Sequence, residues 1–279
     1  MKKIIAAIDG LKYSDSTVNY AVYLARQTNA HLVGIFLDDF TYHSYKIMDL
    51  VGDEGLIEKK HSVLEEKDER ARKQAVQNFE EACQEAGLNF TIHHDKNIAI
   101  QELLHESIYA DLLIIDRKET LTHYEEKVPT RFMRDLLSEV QCPVLVVPAE
   151  YEPVDKIVLL YNGEPTSVHA IKMYSYLFPE WQSLDTQVIS VKDVKQALHV
   201  PDNHLMKEFM KRHFPKAVYT VLKGDPETEI IQNLKEQEEN VFIVLGAYSR
   251  GMVSRWFRSS MADVLMAALN VPLFIAHNK

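Results

Sequence analysis

The feature that most restricts the fold of this chain is a repeated order of apolar runs and amphipathic segments. Short apolar runs begin at Lys3, His31 and Phe90, and the segments between such runs carry apolar residues at helical spacing. After the stretch PAEYEP, Pro148 to Pro153, the same order starts again at Lys156. Strands that alternate with helices predict a parallel sheet with helices on both faces, and the repetition predicts two such units in tandem.

The spacing of matching dipeptides shows that the first copy is the longer one. Asp9-Gly10 corresponds to Asn162-Gly163, an offset of 153, whereas Cys142-Pro143 corresponds to Val271-Pro272, an offset of 129. We expect the additional residues in the tyrosine-rich stretch 42–62. Its aromatic side chains either pack within the chain or form a partner surface, and the sequence leaves both open.

Composition excludes several classes of protein. A chain of 279 residues with 46% apolar content can build two cores. The net charge of -10 argues against a general nucleic-acid binder. No apolar run reaches membrane-spanning length, and the N-terminal one is too short for a signal peptide. The two cysteines form no CxxC pair. We therefore expect a cytoplasmic protein with reduced thiols and with neither nucleic acid nor membrane as partner.

One stretch of the second copy, residues 241–262, has the order of an anion-binding corner. The apolar run Val241 to Leu245 predicts a buried strand, a loop rich in glycine, serine and arginine follows, and Ser259-Ser260 opens a helical pattern. The stretch contains three arginines and no carboxylate. Backbone N–H groups and the positive end of a helix would then meet at one place, which favours an anion there.

Other motifs with a known chemistry are missing. The sequence contains no P-loop, no GxGxxG and no GxSxG, so it predicts no catalytic residue. His93-His94-Asp95 places two potential ligands side by side, but scattered histidines produce such neighbours by chance, and no HxxxH spacing accompanies them. We therefore predict no metal site.

Each half resembles the universal stress protein family. The features that carry the likeness are a first strand ending in Asp-Gly, IIAAIDG, and a last strand CPVLVVP, Cys142 to Pro148. The resemblance implies an α/β fold of two open, doubly wound, parallel five-stranded sheets with strand order 3-2-1-4-5, in domains 1–148 and 154–279. It also implies that the halves pair through their last strands about a pseudo-two-fold axis, and it leaves open whether two chains form a homodimer.

The nucleotide motif of that family is Gly, two residues, Gly, nine residues, then Gly and Ser or Thr. On the second half it starts at Gly246, with serine at both later glycine positions and Ser260 as the hydroxyl. The resemblance places the sugar near Asn162, where the family has an acid, and the base near Val191. The predicted binding residues are Gly246, Ser249, Arg250, Gly251, Ser259, Ser260, Asn162 and Val191.

The same motif fails on the first half. Asp116 stands at the first glycine position, and residues 116–131 hold four acidic and four basic side chains. We predict that this half has lost the site and has a structural or regulatory role.

Two functions follow from the resemblance. The first is a stress-response protein that binds an adenine nucleotide such as ATP, ADP or AMP, with or without Mg²⁺, and acts as a regulator and not as an enzyme. The alternative is a nucleotide-free scaffold or interaction module in which both sites have decayed. Nucleotide that co-purifies with the protein would distinguish them.

Overall fold

The computed structural model describes residues 1–37, 44, 54–95, 98–194, 199–247 and 260–277. Within them the chain forms two compact units, Met1–Gln141 and Cys142–Lys279. None of the described helices combines the length and the apolarity that a bilayer crossing needs. The domain boundaries expected from the sequence, 1–148 and 154–279, stay a prediction.

The first unit alternates strands and helices, as the apolar pattern predicts. Its elements are β1 Lys3–Ile8, α1 Asp15–Thr28, β2 His31–Leu37, α2 Glu54–Glu85, β3 Phe90–Asp95, α3 Ala99–Ser107, β4 Leu112–Asp116 and α4 Arg131–Glu139. The strands pair in parallel in the order β3-β2-β1-β4.

The second unit repeats this order after one additional strand. Its elements are β5 Val144–Val147, β6 Lys156–Leu160, α5 Pro165–Leu177, β7 Asp185–Lys192, α6 Asn203–His213, β8 Val218–Lys223, α7 Pro226–Lys235, β9 Val241–Gly246, α8 Met261–Ala268 and β10 Leu273–Ala276. Strands β8-β7-β6-β9-β10 pair in parallel, which is the predicted order 3-2-1-4-5. Strand β5 pairs with β10 in the antiparallel direction.

The strand order creates a switch point in the second unit. The chain leaves β6 toward β7 on one side, and later returns to place β9 on the other side of β6. Because such connections are right-handed, helices on the two sides of this point cover opposite faces of the sheet. Ligands of open α/β sheets bind beyond the carboxyl ends of the strands at such a point.

The additional residues of the first copy lie between its second and third strands. The second strands begin at positions 31 and 185, a difference of 154, and the third strands begin at positions 90 and 218, a difference of 128. Helix α2 has 32 residues, whereas its counterpart α6 has 11. It begins at Glu54, ten positions before the apolar pattern starts at Leu64, so part of the additional sequence is helical. The rest of the predicted insert, residues 42, 43 and 45–53, lies outside the described residues.

The sheet cores consist of aliphatic and aromatic side chains. Ile4 and Ile5 in the first unit and Val158 and Phe242 in the second are completely buried. Both cysteines, Cys83 and Cys142, are buried and form no disulfide. These packed cores fix the strand ends that form the sites described next.

Candidate functional site

A crevice of about 200 Å³ lies at the switch point of the second unit. Its walls come from the carboxyl ends of β6, β7 and β9 and from the first turns of three helices. The lining residues described are Leu160, Tyr161, Asn162, Ser167, Ile189, Val191, Pro226, Ile230, Leu245, Gly246 and Met261. None of these carries a charge, and most are apolar, so the described wall suits an uncharged ring system with a few polar groups.

Three predicted residues line this crevice, namely Gly246, Asn162 and Val191. Ser260 is the N-cap of α8, the helix whose first residue, Met261, also lines it. The structure therefore brings four of the predicted residues to one end of the sheet. Ser249, Arg250, Gly251 and Ser259 lie outside the described residues.

Gly246 is required by packing. A Cβ at this position would lie 2.4 Å from the carbonyl carbon and oxygen of Thr166 and 2.7 Å from the N of Ser167. The first turn of α5 thus rests directly on the end of β9. The close approach explains the glycine without any ligand.

Asn162 forms a turn at the end of β6. Its Oδ1 accepts a hydrogen bond from the N–H of Glu164 at 2.9 Å, and the side chain is exposed. Because a backbone N–H needs an acceptor, this bond fixes which end of the amide carries the oxygen. The Nδ2 group is left as a donor at the crevice.

Val191 contributes backbone groups. The carbonyl of Ile189 accepts from Tyr161 N at 2.9 Å, so Ile189 faces β6, and the carbonyl of Lys192 accepts from Gly224 N at 3.1 Å, so Lys192 faces β8. Residues alternate sides along a parallel strand. The N–H and C=O of Val191 therefore face the side of β6, beyond the last paired residue of that strand.

Tyr161 lines the crevice next to Asn162. Its hydroxyl donates to the carbonyl of Pro201 at 3.1 Å, and its own carbonyl accepts from the hydroxyl of Ser190 at 2.6 Å. Burial raises the pKa of the Tyr161 phenol, and the nearby charge of Asp202 adds to this effect. The phenol therefore stays protonated at neutral pH and acts as a hydrogen-bond donor.

The helices α4 and α8, which follow the fourth strand of each half, differ in how their first turns are capped. In the second half, Ser260 makes no capping hydrogen bond to the first turn of α8. In the first half, the hydroxyl of Thr130 accepts from Met133 N at 3.2 Å and donates to the carbonyl of Glu119 at 2.5 Å. The start of α4 is thus capped by the side chain of its own N-cap residue, a bond that the described start of α8 lacks.

In the first half, the segment that follows β4 carries a buried carboxylate. Glu119 is buried, and its Oε1 accepts from the N–H groups of Thr120 and Leu121, both at 2.8 Å. Burial is the largest cause that raises the pKa of Glu119 to about 8, and the carboxylate of Asp9 adds to it, while the two N–H donors act in the opposite direction.

Further contacts tie this segment to the ends of β1 and β4. Lys12 Nζ donates to Thr120 Oγ1 at 3.3 Å and to the carbonyl of Thr122 at 2.5 Å. Asp116, at the position of Gly246, accepts from the Ser14 hydroxyl at 2.9 Å. The segment 116–130 thus lies over the strand ends and contacts Lys12 and Ser14 there.

The histidine pair considered as metal ligands has other contacts. His93 Nδ1 lies 2.7 Å from Glu106 Oε1, and the ring of His94 stacks on Phe36. Over the described residues, no group of three or more potential ligands is arranged to hold a metal ion.

Sequence reasoning missed most of the apolar wall and the role of Glu119. Pro226 and Ile230 enter the crevice because α7 starts beside it, with Asp225 as a cap that accepts from Thr228 N at 3.0 Å. The order Asp-Pro before an apolar pattern is a helix-start signal, and it was the one clue to Pro226 in the sequence. Nothing local in the sequence marks Glu119 as buried.

Comparison with known proteins gives the family. The sequence model of the universal stress protein family matches residues 1–148. A solved universal stress protein from Archaeoglobus fulgidus matches 99% of this chain and 98% of its own at 14% identity, with a TM-score of 0.69. A functionally unknown protein from Pseudomonas aeruginosa matches 99% of this chain and 92% of its own at 13% identity, with a TM-score of 0.61. A comparison with curated proteins finds no match.

At these identities the two structures show the fold alone, and they show it over the full length of the chain. The family model covers more than half of the chain, which identifies the family. The chain belongs to the universal stress protein family.

Proposed function

We propose that the second half binds an adenine nucleotide in the crevice at its switch point and acts as a regulator in the cytoplasm. Membership of the family supports a role in the stress response. The described crevice wall holds no histidine, cysteine, carboxylate or lysine, so it supplies no group that exchanges protons near neutral pH. A binding and signalling role fits this wall better than catalysis.

The observation that carries the proposal is the start of α8 beside the crevice, where the N-cap residue Ser260 makes no side-chain capping bond. An uncapped helix N-terminus beside a crevice offers backbone N–H donors and a positive dipole to a phosphate. Ser260 makes no capping bond there, in contrast with Thr130 in the first half. The sequence places Ser249, Arg250, Gly251 and Ser259 next to this point, and we propose them as the remaining phosphate contacts.

The other end of the crevice fits a nucleoside. Val191 presents one N–H and one C=O toward an apolar wall that includes Ile189 and Ile230. The N–H of Val191 suits a ring nitrogen of adenine as acceptor, and its C=O suits the amino group at the same edge of the base as donor. Asn162 presents its Nδ2 group beside them, within reach of the sugar.

The alternative, a scaffold without nucleotide, has one observation in its favour. Gly246 is explained by its contact with Thr166, so its presence does not require a phosphate. Under this alternative the crevice would remain after binding has been lost.

The test is calorimetric titration of AMP and of ATP, each with Mg²⁺ and with EDTA, into the full chain and into Ser260→Asp and Ser260→Asn. Aspartate and asparagine both suit an N-cap, so α8 is preserved in each. The added carboxylate should weaken phosphate binding by about tenfold or more, whereas asparagine should change it little. Adenosine, which has no phosphate, should bind all three proteins alike. Equal binding of AMP by all three would refute this placement, and no binding to the wild type would favour the scaffold.

A further inference from the structure

Helices α5 and α6 of the second unit share an outer face that carries aromatic and apolar side chains. Tyr176 and Leu205 are 61% and 66% exposed, and Phe209 is half-buried. His213 of α6 joins the two helices, because its Nδ1 lies 2.7 Å from the hydroxyl of Ser175 on α5. The centre of its ring lies 4.3 Å from that of Phe209 and 5.6 Å from that of Tyr176. The face is therefore one continuous surface held by side-chain packing.

Positive charges surround these rings. Residues 203–216 contain one carboxylate, Glu208, and four exposed cations, namely Lys207, Lys211, Arg212 and Lys216. None of the four forms an ion pair with another described residue. Burial lowers the pKa of His213, and the charge of Lys172 on α5 lowers it further. In a chain with a net charge of -10, this unneutralised basic face favours a negatively charged partner.

The matching turns of the first unit have the opposite charge. Helix α2 ends five positions before β3, and α6 ends five positions before β8, so their last turns correspond. Residues 75–88 contain no lysine or arginine and three glutamates, namely Glu80, Glu81 and Glu85. Earlier in α2 the charges pair within the helix, as Glu66 does with Arg70 at 3.0 Å and Glu69 with Lys73 at 2.7 Å. The three later glutamates have no ion pair in the described part of the chain.

We propose that a second copy of this chain covers the basic face, with α6 of one copy docked against the last turns of α2 of the other. The cations of residues 203–216 then face the three glutamates, and two such contacts between the same two copies close a dimer. An exposed ion pair raises an association constant by at most about fivefold. The charges therefore select the partner and its register, and burial of Tyr176, Leu205 and Phe209 adds the apolar contribution.

The test is sedimentation velocity of the full chain over a wide range of concentrations, at low and at high salt. The wild type should associate as its concentration rises, and less so at high salt, because exposed charges are screened. Two variants reverse one side each: Lys211→Glu with Arg212→Glu, and Glu81→Lys with Glu85→Lys. Each should weaken self-association by about tenfold or more, since attraction becomes repulsion at two positions.

An equimolar mixture of the two variants should recover the association, because the reversed charges are complementary again. The control is Lys118→Glu with Lys127→Glu, which makes the same change of net charge at exposed positions of the first unit and should associate like the wild type. All the replaced side chains are exposed, so each variant should fold, which far-UV circular dichroism checks.

Three results would overturn the inference. A wild type that stays monomeric at every concentration would exclude a second copy and leave the basic face to an acidic segment of another protein. Self-association that both charge-reversed variants retain would place the contact elsewhere. A mixture that stays as dissociated as each variant alone would show that the two faces do not meet. None of these results bears on nucleotide binding, which is measured separately.

Discussion

At the scale of single residues, Gly246 shows how packing and binding compete as explanations of one glycine. Its contact with Thr166 leaves no room for a Cβ. We expect Gly246→Ala to destabilise the second unit by about 1 to 3 kcal/mol, as overpacking in a fitted core does. Gly87→Ala is the control, because Gly87 has a φ of +65° but no atom within 4 Å of the added Cβ, and it should cost only about 1 kcal/mol. Urea denaturation followed by far-UV circular dichroism measures both. A smaller cost for Gly246→Ala than for Gly87→Ala would contradict the packing argument.

Two buried tyrosines of the second unit provide a matched test of hydroxyl partners. Tyr174 is completely buried among Phe178, Phe214, Phe242 and Phe274, and its hydroxyl has no hydrogen-bond partner in the described part of the chain. We expect Tyr174→Phe to be neutral or stabilising, since it removes an unsatisfied polar group.

Tyr161→Phe should cost about 1 kcal/mol, because it removes the hydrogen bond to Pro201. Tryptophan fluorescence during urea unfolding measures both changes, since Trp181 packs against Phe178 and Phe242 in the same cluster. A larger loss for Tyr174→Phe than for Tyr161→Phe would be incompatible with this view of the core.

At the scale of elements, the segment 116–130 links stability to pH through Glu119. Its pKa is raised from 4.5 to about 8, so the folded state keeps a proton that the unfolded state loses. The contribution of Glu119 is therefore most favourable below about pH 4.5, falls as pH rises toward 8, and is constant above that.

We expect Glu119→Gln to remove this slope and to stabilise the first unit at pH 8 by about 1 to 3 kcal/mol. Glutamine retains an oxygen for the N–H groups of Thr120 and Leu121, and it carries no charge beside Asp9. Glu125→Gln, exposed in the same segment, is the control. Thermal unfolding from pH 4 to pH 9 gives the comparison, and parallel profiles for wild type and Glu119→Gln would count against a buried, protonated Glu119.

Most elements could be predicted from the sequence, whereas the role of this segment could not. Strand β2 spans the predicted residues 31–37, because its apolar run is bounded by polar residues on both sides. The start of helix α2 at Glu54, before Leu64, was not predicted, because Gly55 and the charged run 58–60 obscure the helical period of the apolar residues Leu56, Ile57 and Val63. Glu119 escaped prediction because it is buried beside Asp9 at the end of β1, which is far away in sequence.

At the scale of the whole molecule, duplication accounts for the architecture of both halves. The repeated order of strands was enough to predict two α/β units, and the resemblance to the universal stress protein family implied the strand order of the second. The resemblance also led to Asn162 and Val191, which the structure places with Gly246 and Ser260 at one end of that sheet. The apolar wall of the crevice was not predictable, since it depends on which helix starts come together in space. In the described residues the two halves differ at this place: the first buries Glu119 beyond its strand ends, whereas the second has a crevice lined by Gly246, Asn162 and Val191.

The most direct test of this asymmetry is photo-crosslinking with 8-azido-ATP on the full chain, followed by peptide mapping. We predict saturable labelling, competed by AMP, on peptides that contain Tyr161 or Val191, and none on peptides from residues 1–141. Labelling around Asp9 and Glu119, or no competable labelling at all, would contradict the assignment of the nucleotide site to the second half.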